Sequence, residues 1–74
     1  MAKNMSKSDI RASLPGRMRF PVTIERLARD IGAPRHLVSE VVRAMASARK
    51  PQIRVVGTVS EDGERRVAFQ EIPQ

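Results

Sequence analysis

The sequence predicts an α+β fold that combines three helices with a small antiparallel sheet. Three observations predict this class: two adjacent segments with helical spacing of apolar residues, two β-rich segments around a turn near the end of the chain, and one short alternating segment before the helices. The predicted order is therefore helix, strand, helix, helix, strand, strand. With 74 residues, the chain has room for one domain with one small hydrophobic core.

The chain divides into a basic arm, one domain and a short end. Residues 1–7 are polar and basic and lack apolar periodicity, so we expect a flexible N-terminal arm. The predicted domain covers residues 8–72. Residues 73–74 are expected to fray.

The first helix is predicted to begin at Ser8, whose hydroxyl suits an N-cap, and to run through Leu14. Asp9 lies in the first turn, where a negative charge favours the helix dipole. Pro15 and Gly16 then end the helix.

A short strand is predicted at residues 17–22, because apolar and polar residues alternate there. Met18, Phe20 and Val22 fall on the predicted core side. Pro21 has no amide to donate to a neighbouring strand, which indicates an edge position or a strand end.

A pair of helices follows. Thr23 is the predicted N-cap of the first, with Glu25 in its first turn. The apolar face of this helix contains residues at i, i+3, i+4 and i+7: Ile24, Leu27, Ala28 and Ile31. Gly32 suits the left-handed position after a helix, and Pro34 suits the first turn of the next one. Two short helices joined by such a turn make a helix-turn-helix.

The second helix of the pair is predicted from Pro34 to Arg49. Its apolar face consists of Leu37, Val38, Val41, Val42, Met45 and Ala48. When these residues pack inward, the polar side chains that remain exposed are Arg35, His36, Ser39, Glu40 and Arg43.

A β-hairpin is predicted from two runs, residues 52–60 and 64–72, joined by a three-residue loop with Gly63 in a left-handed conformation. This register pairs Ser60 with Glu64, Val55 with Phe69 and Gly57 with Val67. One face then carries Ile53, Val55, Val59, Val67 and Phe69, and the other carries Arg54, Val56, Thr58, Arg66, Ala68 and Gln70. The apolar and polar sets separate well in this register.

The charge distribution indicates a polyanionic partner. The net charge is +6, and the positive charge is concentrated before Val55: this part contains twelve basic and four acidic residues. Eleven of the fourteen basic residues are arginine, which makes forked contacts with phosphate and guanine. A basic surface exposed to solvent is a simpler explanation of the net charge. The charge alone therefore does not establish a polyanionic partner, and the pattern of helices and strands is needed as well.

The central helix pair resembles the helix-turn-helix of bacterial DNA-binding regulators. The small Ala28, the turn glycine Gly32 and the apolar Val38 and Val41 match that pattern, whereas Ala33 departs from it because a larger apolar residue is usual there. With the hairpin placed after the pair, nearly the whole chain resembles a winged helix-turn-helix domain of the small bacterial or phage regulator type. In that resemblance the hairpin is the wing, and the first strand pairs with it.

The resemblance implies sequence-specific binding to double-stranded DNA by a small transcriptional regulator or repressor that acts by operator occupancy. The second helix of the pair would enter the major groove. The implied base contacts are Arg35, His36, Ser39, Glu40 and Arg43. The implied backbone contacts are Arg17, Arg19, Arg29, Arg49, Lys50, Arg54, Arg65 and Arg66. Because one such domain covers little DNA, we expect a homodimer on the DNA.

Two features leave alternatives open. Glu40 is equally well explained by a surface ion pair with His36 or Arg43. Carboxylates surround Arg65 and Arg66 at the hairpin tip and would repel phosphate, which favours a winged-helix protein–protein interaction module. An architectural or recombination accessory factor is a further alternative.

Other functions have little support in the sequence. With no cysteine and one histidine, no zinc site is recognisable, and no phosphate loop or catalytic constellation is present, so we expect no enzyme, no cofactor and no small-molecule ligand. Both aromatic residues, Phe20 and Phe69, are predicted in the core, which disfavours single-strand binding by base stacking. No apolar run is long enough for a membrane helix, and we expect a cytoplasmic protein.

Overall fold

The computed structural model describes residues 5–73 and arranges them as three helices and one three-stranded antiparallel sheet. In chain order the elements are α1 (Lys7–Ser13), β1 (Val22–Thr23), α2 (Ile24–Ile31), α3 (Arg35–Ala46), β2 (Ile53–Glu61) and β3 (Glu64–Glu71). β3 lies between the other two strands. The predicted α+β class and the order of the elements are confirmed. Most of the predicted arm, residues 1–4, lies outside the described residues, as does Gln74.

Helix α1 begins two residues earlier than predicted, because Ser6 and not Ser8 is its N-cap. The Ser6 hydroxyl accepts a hydrogen bond from the Asp9 amide at 3.2 Å, and the Asp9 carboxylate accepts one from the Ser6 amide at 3.1 Å. This reciprocal capping box satisfies two amides that the helix leaves without partners. Met5 packs against the core just before the cap. The predicted arm therefore includes residues that belong to the fold.

Replacing Ser6 by alanine is expected to lower the free energy of unfolding by about 1 kcal/mol, because the capping bond to the Asp9 amide is lost. The matched control is Ser8→Ala, which changes an exposed serine inside the first turn and should be neutral or slightly stabilising. Urea denaturation followed by circular dichroism measures both. Equal losses for the two variants would contradict the capping assignment.

The strand predicted at residues 17–22 is wrong in extent, since β1 contains only Val22 and Thr23. Both residues pair with β3 as the resemblance implied, Val22 with Phe69 and Thr23 with Ala68. Pro21 lacks an amide and prevents the ladder from extending backwards. Phe20, predicted in the core, is 78% exposed, whereas Met18 is buried.

The predicted ends of α2 are confirmed. The Thr23 hydroxyl accepts from the Arg26 amide at 3.2 Å, and Gly32 ends the helix with a left-handed φ of 78°. Helix α3 is shorter than predicted, because Pro34 is its N-cap residue and Ala46 its last residue. Its packing against the core also ends there, while Ala48 is exposed. A further helical turn would bury no additional apolar surface, so nothing would offset the conformational entropy lost in forming it.

The hairpin has a two-residue loop instead of the predicted three-residue one. Glu61 pairs with Glu64, and Asp62 and Gly63 have φ values of 52° and 77°. Positive φ at both central residues, with the sequence Asp-Gly, is the signature of a tight turn whose twist matches that of paired strands. The predicted left-handed conformation of Gly63 is confirmed.

A β-bulge restores the predicted register at the base of the hairpin. The pairing passes from Gly57–Ala68 to Val55–Phe69, which leaves Val56 in the bulge. The predicted Val55–Phe69 pair is therefore confirmed, whereas the pairs predicted for Ser60 and Gly57 are wrong by one residue.

The corrected register changes the faces near the tip, because directly paired residues share a face. One face carries Ile53, Val55, Thr58 and Ser60 of β2 with Arg65, Val67, Phe69 and Glu71 of β3. Val59, predicted on this face, lies on the other with Arg54 and Gly57, opposite Arg66, Ala68 and Gln70.

The core lies between the helices and the base of the sheet. It is formed by Ile10, Leu14, Met18, Ile24, Leu27, Ala28, Val38, Val41, Val42, Ile53 and Phe69. Phe69 is among the largest fully buried side chains. On the same sheet face, Val55 and Val67 remain substantially exposed. Beyond the packed base, this face of the hairpin therefore borders an open groove beside α3.

Candidate nucleic-acid interface

An open groove of about 310 Å³ lies between α3 and the outer part of the hairpin. We call it the α3–β3 groove and define it by Arg35, Ser39 and Arg43 of α3 and Arg65 and Val67 of β3. Three of these five side chains are arginines. Arg66 also lines the groove, as do the carboxylates of Glu25 and Glu64. Four arginines from α3 and β3 thus stand against two acidic residues, and the groove has an excess of positive charge.

The packing of α3 explains why its polar residues face the groove. Val38, Val41 and Val42 are buried against the core, which turns the opposite side of the helix outward. Arg35, Ser39 and Arg43 recur every four residues and thus form one row, in which Arg35 and Arg43 are exposed and Ser39 is half-buried. The predicted exposure of this row follows from the apolar periodicity of the sequence.

Two predicted base contacts lie outside the groove lining. His36 is exposed on α3. Glu40 is directed toward α1, where its carboxylate forms an ion pair with Lys7 at 3.3 Å. The alternative interpretation of Glu40 as a surface ion pair is therefore supported, although its partner is Lys7 and not His36 or Arg43. The negative charge of Glu40 is thus kept away from the row of arginines.

The guanidinium groups in the groove are oriented by short contacts through their Nε atoms. Arg43 Nε donates to the Ser39 hydroxyl at 3.2 Å, and Arg35 Nε donates to Glu25 Oε1 at 3.1 Å. On β3, Arg65 makes a long contact of 3.5 Å to the Thr58 hydroxyl. Because the first two bonds use Nε, the terminal Nη groups remain available for a forked contact with an anion or a base edge.

Arg66 is held within the protein by four carboxylates. Its Nη atoms lie 3.1 Å from both Glu61 and Glu64 and 3.8 Å from Asp62, and its Nε lies 3.7 Å from Glu25. Only 21% of its side chain is exposed. The hydrogen bond to Glu64 is the main cause that raises the pKa of Arg66; desolvation opposes it, and the hydrogen bond to Glu61 adds to it. Arg66 is therefore bound to the hairpin's own acids.

The acidic residues at the hairpin tip have internal partners as well. The hydroxyl of Thr23 donates to Glu61 at 2.8 Å. This bond is the main cause that lowers the pKa of Glu61; desolvation opposes it and Arg66 adds to it. Arg29 of α2 lies 4.0 Å from Asp62. Each of the three tip carboxylates, Glu61, Asp62 and Glu64, thus has a positively charged partner within the fold, and all three share Arg66.

Glu25 connects the two sides of the groove. One of its carboxylate oxygens binds Arg35 of α3, and the other lies 3.7 Å from Arg66 of β3. This second oxygen is buried and makes no hydrogen bond, because 3.7 Å is an electrostatic contact and too long for one. A residue of α2 therefore links the helix to the hairpin.

The remaining predicted backbone contacts are spread over the surface. Arg49 and Lys50 are exposed in the turn after α3. Arg54 pairs with Gln70 and lies on the sheet face opposite to Val67. Arg17 and Arg19 line a separate depression of about 400 Å³. The structure thus brings Arg35, Ser39, Arg43 and Arg65 together, and it places Arg17, Arg19 and Arg54 elsewhere.

Sequence reasoning missed two features of this surface. The linking role of Glu25 depends on contacts between three elements and has no local signal beyond a carboxylate in the first turn of a helix. The exposure of Phe20 was missed because the alternating pattern outweighed the one available signal, Pro21 directly after it.

Comparisons with known proteins found no counterpart: no protein-family model, no curated protein and no solved structure matches the chain. The class is therefore defined by the fold itself, an α+β domain with three helices and a three-stranded antiparallel sheet, compatible with a winged helix. In the part of the chain that the structure describes, no helix has the length and apolar character needed to cross a membrane. Within residues 5–73, no group of three or more His, Asp or Glu side chains is placed to hold a metal ion.

Proposed function

We propose that the protein is a winged-helix regulator that binds double-stranded DNA sequence-specifically through the α3–β3 groove. It would act by occupying its operator, with α3 in the major groove and the hairpin as the wing. The observation that carries the proposal is the convergence of Arg35, Arg43 and Arg65 with Ser39 on one open surface. Arginine can donate two hydrogen bonds to O6 and N7 of guanine, and serine can form a hydrogen bond with several different bases.

Charge and size support the same function. The net charge of +6 favours association with a polyanion, and the arginine row lies on the exposed side of a helix, as direct readout of base edges requires. A single domain of this size covers roughly 600–1,000 Å² of DNA-binding surface. We therefore propose that two copies bind together, on a palindromic or directly repeated site.

The alternative function, a winged-helix module for protein–protein interaction, loses part of its support. It rested on the acidic hairpin tip, and the carboxylates there already have Arg66, Arg29 and Thr23 as partners. An architectural or recombination accessory factor would use the same groove. The enrichment of a defined site separates a regulator from a factor that reads DNA shape alone.

Selection from a random duplex library at two salt concentrations tests the proposal. We expect enrichment of one motif, and an affinity for it that falls steeply with salt because bound arginines release counterions. Binding without an enriched motif would reduce the proposal to charge-driven association. Absence of binding at low salt would contradict DNA binding altogether.

A further inference from the structure

A second surface, remote from the α3–β3 groove, surrounds the exposed ring of Phe20. Arg17, Arg19 and Phe20 line one depression together with Val59, which lies on the sheet face opposite to Val67. Arg54 adjoins it through Gln70, its partner across the sheet, whose side-chain amide donates to the Arg19 carbonyl at 2.8 Å. We call these residues (Arg17, Arg19, Phe20, Arg54 and Val59) the Phe20 surface.

The exposure of Phe20 is enforced by the backbone on both sides of it. The Met18 carbonyl accepts from the Glu71 amide at 2.8 Å, and the Arg19 carbonyl is held by Gln70. On the other side, Val22 is paired with Phe69 in the sheet. The segment is thus fastened before and after Phe20, so the ring cannot retreat into the core without breaking these bonds. A large aromatic side chain fixed in an exposed position is preorganised for binding, because little conformational entropy is lost when a partner contacts it.

The charges around the ring favour an anionic partner. In the described part of the chain, no carboxylate lies within ion-pair distance of Arg17, Arg19 or Arg54. The two acids that line the depression have partners of their own: Asp30 lies 3.9 Å from Arg26, and Glu61 is bound by Thr23 and Arg66. Arg17 and Arg19 thus line the same depression as the exposed ring, and Arg54 lies on the adjoining part of the sheet. Within the described residues, none of these three arginines is paired with a carboxylate.

We propose that the Phe20 surface binds single-stranded DNA, with one unpaired base stacked on the Phe20 ring and the neighbouring phosphates on Arg17, Arg19 and Arg54. Base stacking on an aromatic ring beside cations is the recurring chemistry of single-strand binding. A duplex hides the faces of its bases, and a protein interface is typically enriched in several aromatic anchors. Phe20 is the only exposed aromatic side chain among the described residues, since Phe69 is buried. The choice of DNA over RNA rests on the proposed function, because an opened segment next to a bound duplex would supply the strand.

The test measures binding of a fluorescein-labelled oligothymidylate of twelve nucleotides to the full chain, by fluorescence anisotropy at low salt. Phe20→Ala should weaken binding roughly five- to 150-fold, the range for loss of one stacked base. The wild-type protein should bind an abasic oligonucleotide of equal length more weakly than oligothymidylate, by a similar factor. For the abasic oligonucleotide, Phe20→Ala and the wild type should have equal affinity, because no base is present to stack. Unchanged affinity of Phe20→Ala for oligothymidylate would overturn the proposal.

A second variant reports stacking directly. The chain contains neither tryptophan nor tyrosine, so Phe20→Trp introduces a single fluorophore at the proposed contact. Saturating quenching of its emission by oligothymidylate is expected, because a base stacked on the indole ring quenches it. Binding without quenching would place the strand elsewhere and overturn the proposal.

The groove variant separates this proposal from the proposed function. The double variant Arg35→Ala/Arg43→Ala should lose duplex binding and keep oligothymidylate binding, while Phe20→Ala should do the reverse. Loss of oligothymidylate binding in the groove variant would overturn the assignment to the Phe20 surface, whatever the result for duplex DNA. Tighter binding of polyglutamate or oligouridylate than of oligothymidylate would also overturn it, in favour of an acidic protein or an RNA.

Discussion

Replacing Phe69 by alanine should lower the free energy of unfolding by about 3–5 kcal/mol. Phe69 is 2% exposed and pairs with strands on both of its sides, Val22 in β1 and Val55 in β2. Its loss opens a cavity where the sheet meets the helices. A domain of this size rarely has more than roughly 3–5 kcal/mol of net stability. We therefore expect the variant to be largely unfolded at 25 °C by circular dichroism.

The chain contains its own control for this experiment. Phe20 is the only other phenylalanine, and Phe20→Ala makes the same chemical change at a side chain that is 78% exposed. Its effect should stay within about 0.5 kcal/mol, as for most surface substitutions. Similar destabilisation by the two substitutions would show that Phe20 packs against the protein in solution and would remove the basis of the Phe20 surface.

The second large effect is expected at Arg43. Its Nε donates to the Ser39 hydroxyl, which leaves its two Nη groups for a ligand, and the residue lines the α3–β3 groove. We therefore expect these Nη groups to make a forked contact with guanine O6 and N7. Arg43→Ala should weaken binding to the selected duplex by about 1–3 kcal/mol and relax the preference at one base pair. Affinity measured on the selected site, on single-base variants of it and on random duplex gives both quantities.

Two control variants separate readout from charge. Arg43→Lys keeps the positive charge without the fork, so it should retain affinity for random duplex while losing discrimination. Arg54→Ala removes an arginine from the opposite face of the sheet and should leave duplex affinity nearly unchanged. Equal losses for Arg43→Ala on selected and random duplex would show that this residue contacts only the backbone.

Features of the fold that depend on local chemistry could be predicted from the sequence. Thr23 and Gly32 bound α2 because a hydroxyl cap and a left-handed glycine act within a few residues. Where two local signals compete, the choice was wrong. Ser6 with Asp9 three residues later is a capping box, and Asp62-Gly63 is a two-residue turn. Ser8 and a three-residue loop are predicted instead, because Asp9 also suits the first turn after Ser8 and the longer loop gives a register that separates apolar from polar residues.

The bulge shows why the register could be predicted at one end of the hairpin only. A loop that is one residue shorter shifts the pairing by one, and the bulge at Val56 shifts it back before Val55 reaches Phe69. A pattern of apolar residues detects the final pairing at the packed base, because burial there is decisive. It cannot detect two compensating shifts in the exposed part, and Val59 was placed on the wrong face for that reason.

For the candidate interface, the sequence predicts which residues are exposed and misses which of them are already engaged. Helical periodicity is enough to place Arg35, Ser39 and Arg43 outward. The binding of Arg66 by four carboxylates brings together residues from α2, the hairpin turn and β3. Such contacts depend on tertiary geometry, which spacing along the chain does not encode.

The position of Glu25 has a consequence for how the two arms of the groove respond to a ligand. A single carboxylate serves Arg35 on one side and Arg66 on the other. An anion that draws Arg35 away leaves the full negative charge of Glu25 facing Arg66, which strengthens the hold of the hairpin on α2. Anion binding to α3 is therefore expected to hold the hairpin more firmly to α2, so the energetic effects of substitutions in the two arms should not be additive.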